Sequence, residues 1–140
     1  MASITASPSQ VVARAEEILG SRQTDRIGEV FHPEVVNHSL APSRPAGLAG
    51  TEEYLRSDLH ARFAGETWGT RIEVTDGEYV VHFGTREGRW PGGKFLGIDA
   101  PAGDYSRGLA FIYRVANGLI VERWAYRDDL GFLRQLGVTL

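Results

Sequence analysis

Asp128, Asp129, Arg107 and His38 are the side chains of this sequence whose types and positions suit proton transfer and the steadying of an anion. The two aspartates lie where the pattern of the chain changes. Before them, Ile120, Glu122, Trp124 and Tyr126 alternate with Val121, Arg123 and Ala125, the period of a half-buried strand. After them, Leu130, Phe132, Leu133 and Leu136 recur at helical spacing up to Gly137, a plausible C-cap. A carboxylate at such a junction can cap the helix with its side-chain oxygen. It can also end the strand and face whatever the inner face encloses. Strand parity keeps Asp128 in line with Trp124 and Tyr126, so it faces inward if they do, and Asp129 is expected to be the cap. His38 suits a proton shuttle, or is a loop histidine bonded to backbone. His32 precedes a proline and reads as a surface residue, His60 falls on a helix, and His82 falls on the outer face of a hairpin. The four histidines lack metal-ligand spacing, and no serine nucleophile elbow is present.

The elements that must hold these residues can be read in chain order. Residues 1–8 read as a flexible tail ahead of a single domain over 9–140. Ser9 is a fair N-cap for a helix over 10–22 with Val11, Val12, Ala15, Ile18 and Leu19 on one face. A short helix or turn follows around 25–31, then a short strand at Val35 and Val36 and a loop rich in Pro and Gly. Gly50-Thr51 opens a helix with Tyr54, Leu55, Leu59 and Phe63 on its apolar side. Strands over 67–75 and 79–86 flank Asp76-Gly77, and a strand over 107–115 is joined to the opening stretch by Asn117-Gly118; both dipeptides are strong hairpin signals. Residues 87–103 are rich in Gly and Pro yet hold Trp90, Phe95, Leu96 and Ile98, the makeup of a lid or pocket rim. Helices first, antiparallel strands next and a terminal helix last make an α+β chain without βαβ alternation.

Turn geometry fixes which side chains share a face. A two-residue turn at Asn117-Gly118 pairs Tyr113 with Glu122, Phe111 with Trp124, Leu109 with Tyr126 and Arg107 with Asp128. The same count sets Val81, Phe83 and Thr85 against Val74, Ile72 and Thr70. A sheet curled around the aromatic face would make an apolar cavity with few polar groups, the usual makeup of a small-molecule site. The same aromatics would serve equally as plain core against the helices.

Composition narrows the function. The chain has 140 residues, 15 basic against 18 acidic side chains, and no cysteine. That length suits one domain with a sizeable core. There is no basic stripe for a nucleic-acid backbone, and disulfides and thiolate chemistry are excluded. The first residues lack a signal peptide's charged and apolar regions, and no run is long enough to span a bilayer. These features predict a cytoplasmic protein with no nucleic-acid or membrane partner.

The run GRWPGGKFLGIDAPAG, followed by FIYRVANGLIVERWAYRDDLGFLRQLG, resembles the SnoaL-like polyketide cyclases. These belong to the cone-shaped α+β superfamily of ketosteroid isomerase, scytalone dehydratase and nuclear transport factor. The first motif is carried by Gly93, Phe95, Gly97, Ile98 and Gly103. The second is carried by Gly118, Ile120, Glu122, Trp124, Asp128, Gly131, Leu133, Gln135, Leu136 and Gly137, with Phe132 replacing the usual Leu. VVNHSLAP is similar to the family's early segment, where a His follows a short apolar run. The resemblance implies a curved antiparallel sheet wrapped around a pocket, with N-terminal helices packed against it. It implies an acid/base role for Asp128 in an intramolecular aldol closure, with no metal or organic cofactor. A carboxylate in an apolar cavity has its pKa raised from about 3.9, which makes it a better base. Arg107 would favour the anion, orient Asp128 or bind an enolate oxygen.

The expected site therefore comprises Asp128, His38 and Arg107, walled by Trp124, Phe111, Tyr126, Phe83, Tyr54, Trp90 and Phe95. The expected function is ring closure of a hydrophobic polyketide-type intermediate in natural-product biosynthesis. Isomerisation, dehydration, epoxide opening with Asp104 as a third group, or cofactor-free hydroxylation on the same scaffold is the alternative. A non-catalytic binding or assembly module is a further one, favoured if Asp128 lies at the surface. A mixed apolar and charged outer sheet face, with Ile112, Val121, Val80 and Ala110 beside Arg114, Arg123, His82 and Glu73, predicts a homodimer, as the resemblance also does.

Overall fold

The computed structural model describes residues 6–140. The tail expected over residues 1–8 falls partly outside them, and its last residues belong to the first helix. Helix α1 (Pro8–Gly20) starts earlier than the sequence suggests, because Ser7 rather than Ser9 is the N-cap. The Ser7 hydroxyl accepts from the Gln10 N–H, the Gln10 side chain accepts from the Ser7 N–H, and Pro8 occupies the first turn, where its missing donor costs nothing. A 3-10 turn (Thr24–Glu29) leads into β1 (Phe31–Asn37). The single helix expected to run to Phe63 is broken into α2 (Gly47–Leu55) and α3 (Asp58–Ala61), the second opened by the Ser57 hydroxyl accepting from the His60 N–H.

The remaining chain is mostly sheet. Strands β2 (Thr67–Asp76), β3 (Tyr79–Trp90), β6 (Gly103–Ala116) and β7 (Leu119–Arg127) pair antiparallel, and β1 joins β7 in parallel, giving the order β1-β7-β6-β3-β2. The segment read as irregular holds a small hairpin, β4 (Gly93–Phe95) with β5 (Ile98–Ala100), whose turn residues Leu96 and Gly97 have φ of 50° and 80°. Leucine is a poor residue for that left-handed conformation, which hid the turn. Helix α4 (Asp129–Gln135) closes the fold.

Two apolar clusters hold the sheet in shape. In the first, Val11, Val12, Ala15 and Ile18 of α1 pack on Phe31, Val35, Val80, Tyr113, Val115 and Ile120. In the second, Phe132, Leu133 and Leu136 of α4 pack on Trp90, Phe95, Ala100 and Tyr105. Strand β6 spans both, contributing Tyr113 to one and Tyr105 to the other. The residues between them on the same face, Arg107, Leu109 and Phe111, floor the interior.

The register of β2 and β3 follows the turn count as far as Thr70, with Val74 facing Val81, Ile72 facing Phe83 and Thr70 facing Thr85, and then shifts by one at Gly69, so that Trp68 faces Arg86 and turns inward. The β6–β7 count holds for two pairs and then fails. Ala116 faces Leu119 and Val115 faces Ile120, but Arg114 faces Glu122, so Val121 is an extra residue and β7 is bulged. From there every side chain of β7 changes side. Tyr113 faces Arg123, Phe111 faces Ala125 and Leu109 faces Arg127. Trp124 and Tyr126 lie instead with Ile112 and Ala110 on the convex face.

Candidate active site

The interior is built around the ring of Phe111. Arg123 and Arg127 approach that ring from β7, with guanidinium carbons 4.9 and 5.7 Å from its centroid. Trp68 of β2 meets it edge-on at 5.9 Å. Tyr54 of α2 and His60 of α3 sit above with ring centroids 5.4 Å apart. Arg123, Arg127, Tyr54 and His60 are all part-buried, so this region is screened from water without being sealed. Burial pushes His60 down to a pKa of about 4, helped by the positive charges of Arg22, Arg123 and Arg127, so the imidazole is neutral at pH 7. Burial likewise lowers the Arg127 guanidinium below its usual value, with Arg123 and Arg107 adding repulsion.

Deeper, beneath α4, lies a paired charge cluster. The Glu66 carboxylate accepts from the Tyr105 hydroxyl at 2.6 Å, from Arg107 Nε at 2.9 Å and from Arg86 Nε at 3.1 Å. Burial pushes Glu66 up, but the arginines and the tyrosine outweigh it and hold it below the ordinary glutamate range. Arg107 lies 3.9 Å over the Phe63 ring. The expected pair of Arg107 with Asp128 is therefore not formed: Arg107 is spoken for by Glu66.

The two aspartates exchange the structural places read from the sequence. Asp128 is exposed and is the N-cap of α4, its Oδ1 accepting from the Gly131 N–H at 2.8 Å. Asp129 is part-buried, and its Oδ1 is shut off from solvent without a hydrogen-bond partner among the described residues. Burial raises the Asp129 pKa, and the charges of Arg127 and Arg107 pull it only partly back. Parity carried through the Val121 bulge produced the exchange.

Of the residues expected at the site, Phe111, Tyr54 and, more deeply, Arg107 are brought together in the interior. The others are placed elsewhere. Trp124, Tyr126 and Phe83 face outward, with Tyr126 60% exposed and Phe83 38%. His38 stacks on Trp124 on that convex face, centroids 4.6 Å apart, and its Nε2 lies 2.8 Å from Glu122. Glu122 takes its second partner from Arg114 at 2.7 Å rather than from Tyr113. Trp90 and Phe95 are not a rim but core, 0% and 4% exposed, because β3 runs on to Trp90 and α4 covers both. Asp104 is exposed and pairs with Arg89, away from the interior. His82, expected outside, is 2% exposed inside, between Glu16 of α1 and Glu73 of β2. Sequence reasoning missed Asp129, Arg123, Arg127, His60 and Trp68. The alternation of β7 pointed to the two arginines, but only on the side opposite the one chosen.

Among the described residues no group of three or more His, Asp or Glu is placed to hold a metal ion. A groove of about 560 Å³ runs along α2 between Arg44, Glu52, Glu53, Arg56 and Asp58. It is charged and wide, so it does not exclude water. The groups whose acidity burial perturbs, His60, Arg127 and Asp129, lie in the interior instead.

The fold and these distances can be set beside known proteins. IdmH of Streptomyces antibioticus, a candidate polyketide cyclase, superimposes with a TM-score of 0.76 at 25% identity over 95% of this chain and 100% of its own. TsrD of Streptomyces laurentii gives 0.70 at 27% identity over 92% and 96%. A SnoaL-like polyketide cyclase of Agrobacterium tumefaciens gives 0.78 at 18% identity over 95% and 100%, which speaks for the fold alone. No curated protein matches the sequence. No helix among the described residues is long and apolar enough to cross a membrane. The family sequence model for SnoaL-like polyketide cyclases matches residues 9–136, nearly the whole chain, and the protein belongs to that family.

Proposed function

We propose that the protein is an enzyme that closes a ring in a polyketide-type intermediate by acid/base catalysis, without a metal or organic cofactor, and that Asp129 is the group that moves the proton. The observation that carries this reading is the buried, unpartnered Oδ1 of Asp129 beside Arg127 and Arg107. A carboxylate raised in pKa by burial is the better base, and an enclosed arginine is the group to steady an enolate. In the reaction, Asp129 takes a proton from a carbon between two carbonyls. The enolate carbon attacks a second carbonyl carbon of the same chain and forms the new C–C bond. The resulting alkoxide takes the proton back, and the carboxylate is restored. Family resemblance had given this role to Asp128. Its exposure and its cap would fit a non-catalytic module, but Asp129 supplies inside the cone the perturbed carboxylate that an enzyme needs.

Incubation with a panel of poly-β-ketone and polyene intermediates, with mass spectrometry of the products, identifies the substrate. On it, Asp129→Asn is expected to lose about 10²–10⁴-fold in rate, the usual worth of general acid/base catalysis. Asp128→Asn keeps the cap and should stay near wild type. Undiminished turnover in Asp129→Asn, with loss in Asp128→Asn, would return the role to the motif position.

The convex sheet face supports a homodimer. Ile72, Val74, Tyr79 and Phe83 are 38–50% exposed there, beside Trp124 and Tyr126. Its charges are already matched internally, Arg114 with Glu122 and Glu78, and Glu122 with His38. A face that is apolar and self-neutralised suits a second copy of itself across a two-fold axis.

A further inference from the structure

The interior holds two guanidiniums without an ion pair. Arg14, Arg26, Arg44, Arg56, Arg71, Arg86, Arg89, Arg107 and Arg114 each have a carboxylate within 4 Å. Among the described residues, no carboxylate comes that close to Arg22, Arg62, Arg123, Arg127 or Arg134, though Asp129 acts on Arg127 from further off; of these, Arg123 and Arg127 lie on the inner face of the sheet. Both lie against Phe111, and Arg123 also lies 5.8 Å from the Tyr113 ring centroid. The bulge at Val121 sends them inward, with the small Ala125 between them opposite Phe111. The third positive group near His60 is Arg22, at the end of α1. The chain is acidic overall, so carboxylates to quench these charges are not scarce. Leaving two part-buried guanidiniums without one costs stability. An anionic ligand between them would restore it, since guanidinium takes a carboxylate by paired, charge-assisted hydrogen bonds.

We infer that the interior takes a substrate bearing a free carboxylate, held by Arg123 and Arg127 with its apolar body on Phe111 and Trp68, rather than a neutral ester or amide. The inference rests on the reading of this interior as the substrate site. It assigns the specificity to β7 and the chemistry to the start of α4. The reaction that supplies such a substrate is one that releases a polyketide chain as the acid, by hydrolysis of its carrier thioester, before ring closure.

Binding tests this without turnover. Naphthalene-2-carboxylate and its methyl ester are titrated into the wild-type protein, followed by calorimetry and by Trp68 fluorescence. The acid is expected to bind at least about tenfold more tightly than the ester, the worth of one charge-assisted bond, with the margin shrinking as salt is raised. Arg123→Gln and Arg127→Gln should each shrink the margin, and the double variant should bring acid and ester to about the same affinity, with Arg89→Gln as the surface control. Equal binding of acid and ester by the wild-type protein, no binding of the acid, or a preference that survives the double variant would overturn the inference. The wild-type comparison stands even where a variant fails to fold. Loss of the preference with Asp129→Asn still inactive would leave the cyclase reading intact, and the converse result would leave the carboxylate site.

Discussion

Part-buried Asp129 and buried His82 are both titratable, and they respond to pH for opposite reasons. Asp129 has a raised pKa because burial disfavours its charge. A pKa raised above the unfolded value of about 3.9 means that the fold is favoured below that value and loses stability as pH rises through the folded one. At pH 7 the charged Asp129 is therefore a burden, and Asp129→Asn should melt at the same temperature as wild type or higher. The acid limb of the wild-type pH–rate profile should sit above the ordinary aspartate range and disappear in the variant. A lower melting temperature would reveal a structural partner for Asp129. Burial pushes His82 down, but hydrogen bonds to Glu16 and Glu73 outweigh it and raise its pKa. Protonated His82 thus stabilises the fold fully below about pH 6.5, and that contribution fades as pH climbs through the raised folded value. Urea midpoints should fall as pH rises above about 6.5, and the slope should flatten in His82→Gln. The same slope in the variant would place the dependence in another group.

Helix α4 links the site to the second core, so its two ends predict different things. Phe132 is fully buried against Trp90, Phe95 and Tyr105, and Phe132→Ala should cost about 3–5 kcal/mol in chemical denaturation. Trp90→Ala belongs to the same class, whereas Leu96→Ala at the 66% exposed hairpin tip should be nearly neutral. A neutral Phe132→Ala would show that α4 is not held by this cluster. The strands themselves were legible in the sequence because period-2 runs ended at turn dipeptides. Asn117 and Gly118 both take the positive φ, 52° and 78°, that such a turn demands. The β2–β3 register followed from counting as far as Thr70, beyond which the shift at Gly69 was not legible. Nor was the bulge in β7, because Val121 is an ordinary strand residue and nothing local marks it as extra. Its cost was the inversion of Trp124, Tyr126 and the aspartate pair. Arg107 was placed on the correct face, yet its partner Glu66 lies 41 residues away in sequence, a distance no local pattern spans.

At the scale of the molecule, one sheet separates two surfaces of different use. The concave one gathers arginines and the unpartnered Asp129 oxygen, and the convex one gathers exposed aliphatic and aromatic side chains. Sedimentation of the wild type at micromolar concentration should give a dimer, and Ile72→Asp with Tyr126→Glu should give a folded monomer, since buried charge opposes association more than it disturbs an exposed strand. A monomeric wild type would sink the assignment of that face.

The single extra residue at Val121 also bears on descent. Substitution edits a lining one side chain at a time, but pairing Val121 with Arg114 in a regular ladder would exchange the whole set, turning Trp124 and Tyr126 inward and Arg123 and Arg127 outward. Two relatives of equal length in this hairpin, one bulged and one regular, would then look almost identical in alignment and line their interiors with opposite side chains. In this architecture, one bulge sets the character of a whole strand's lining in a single step.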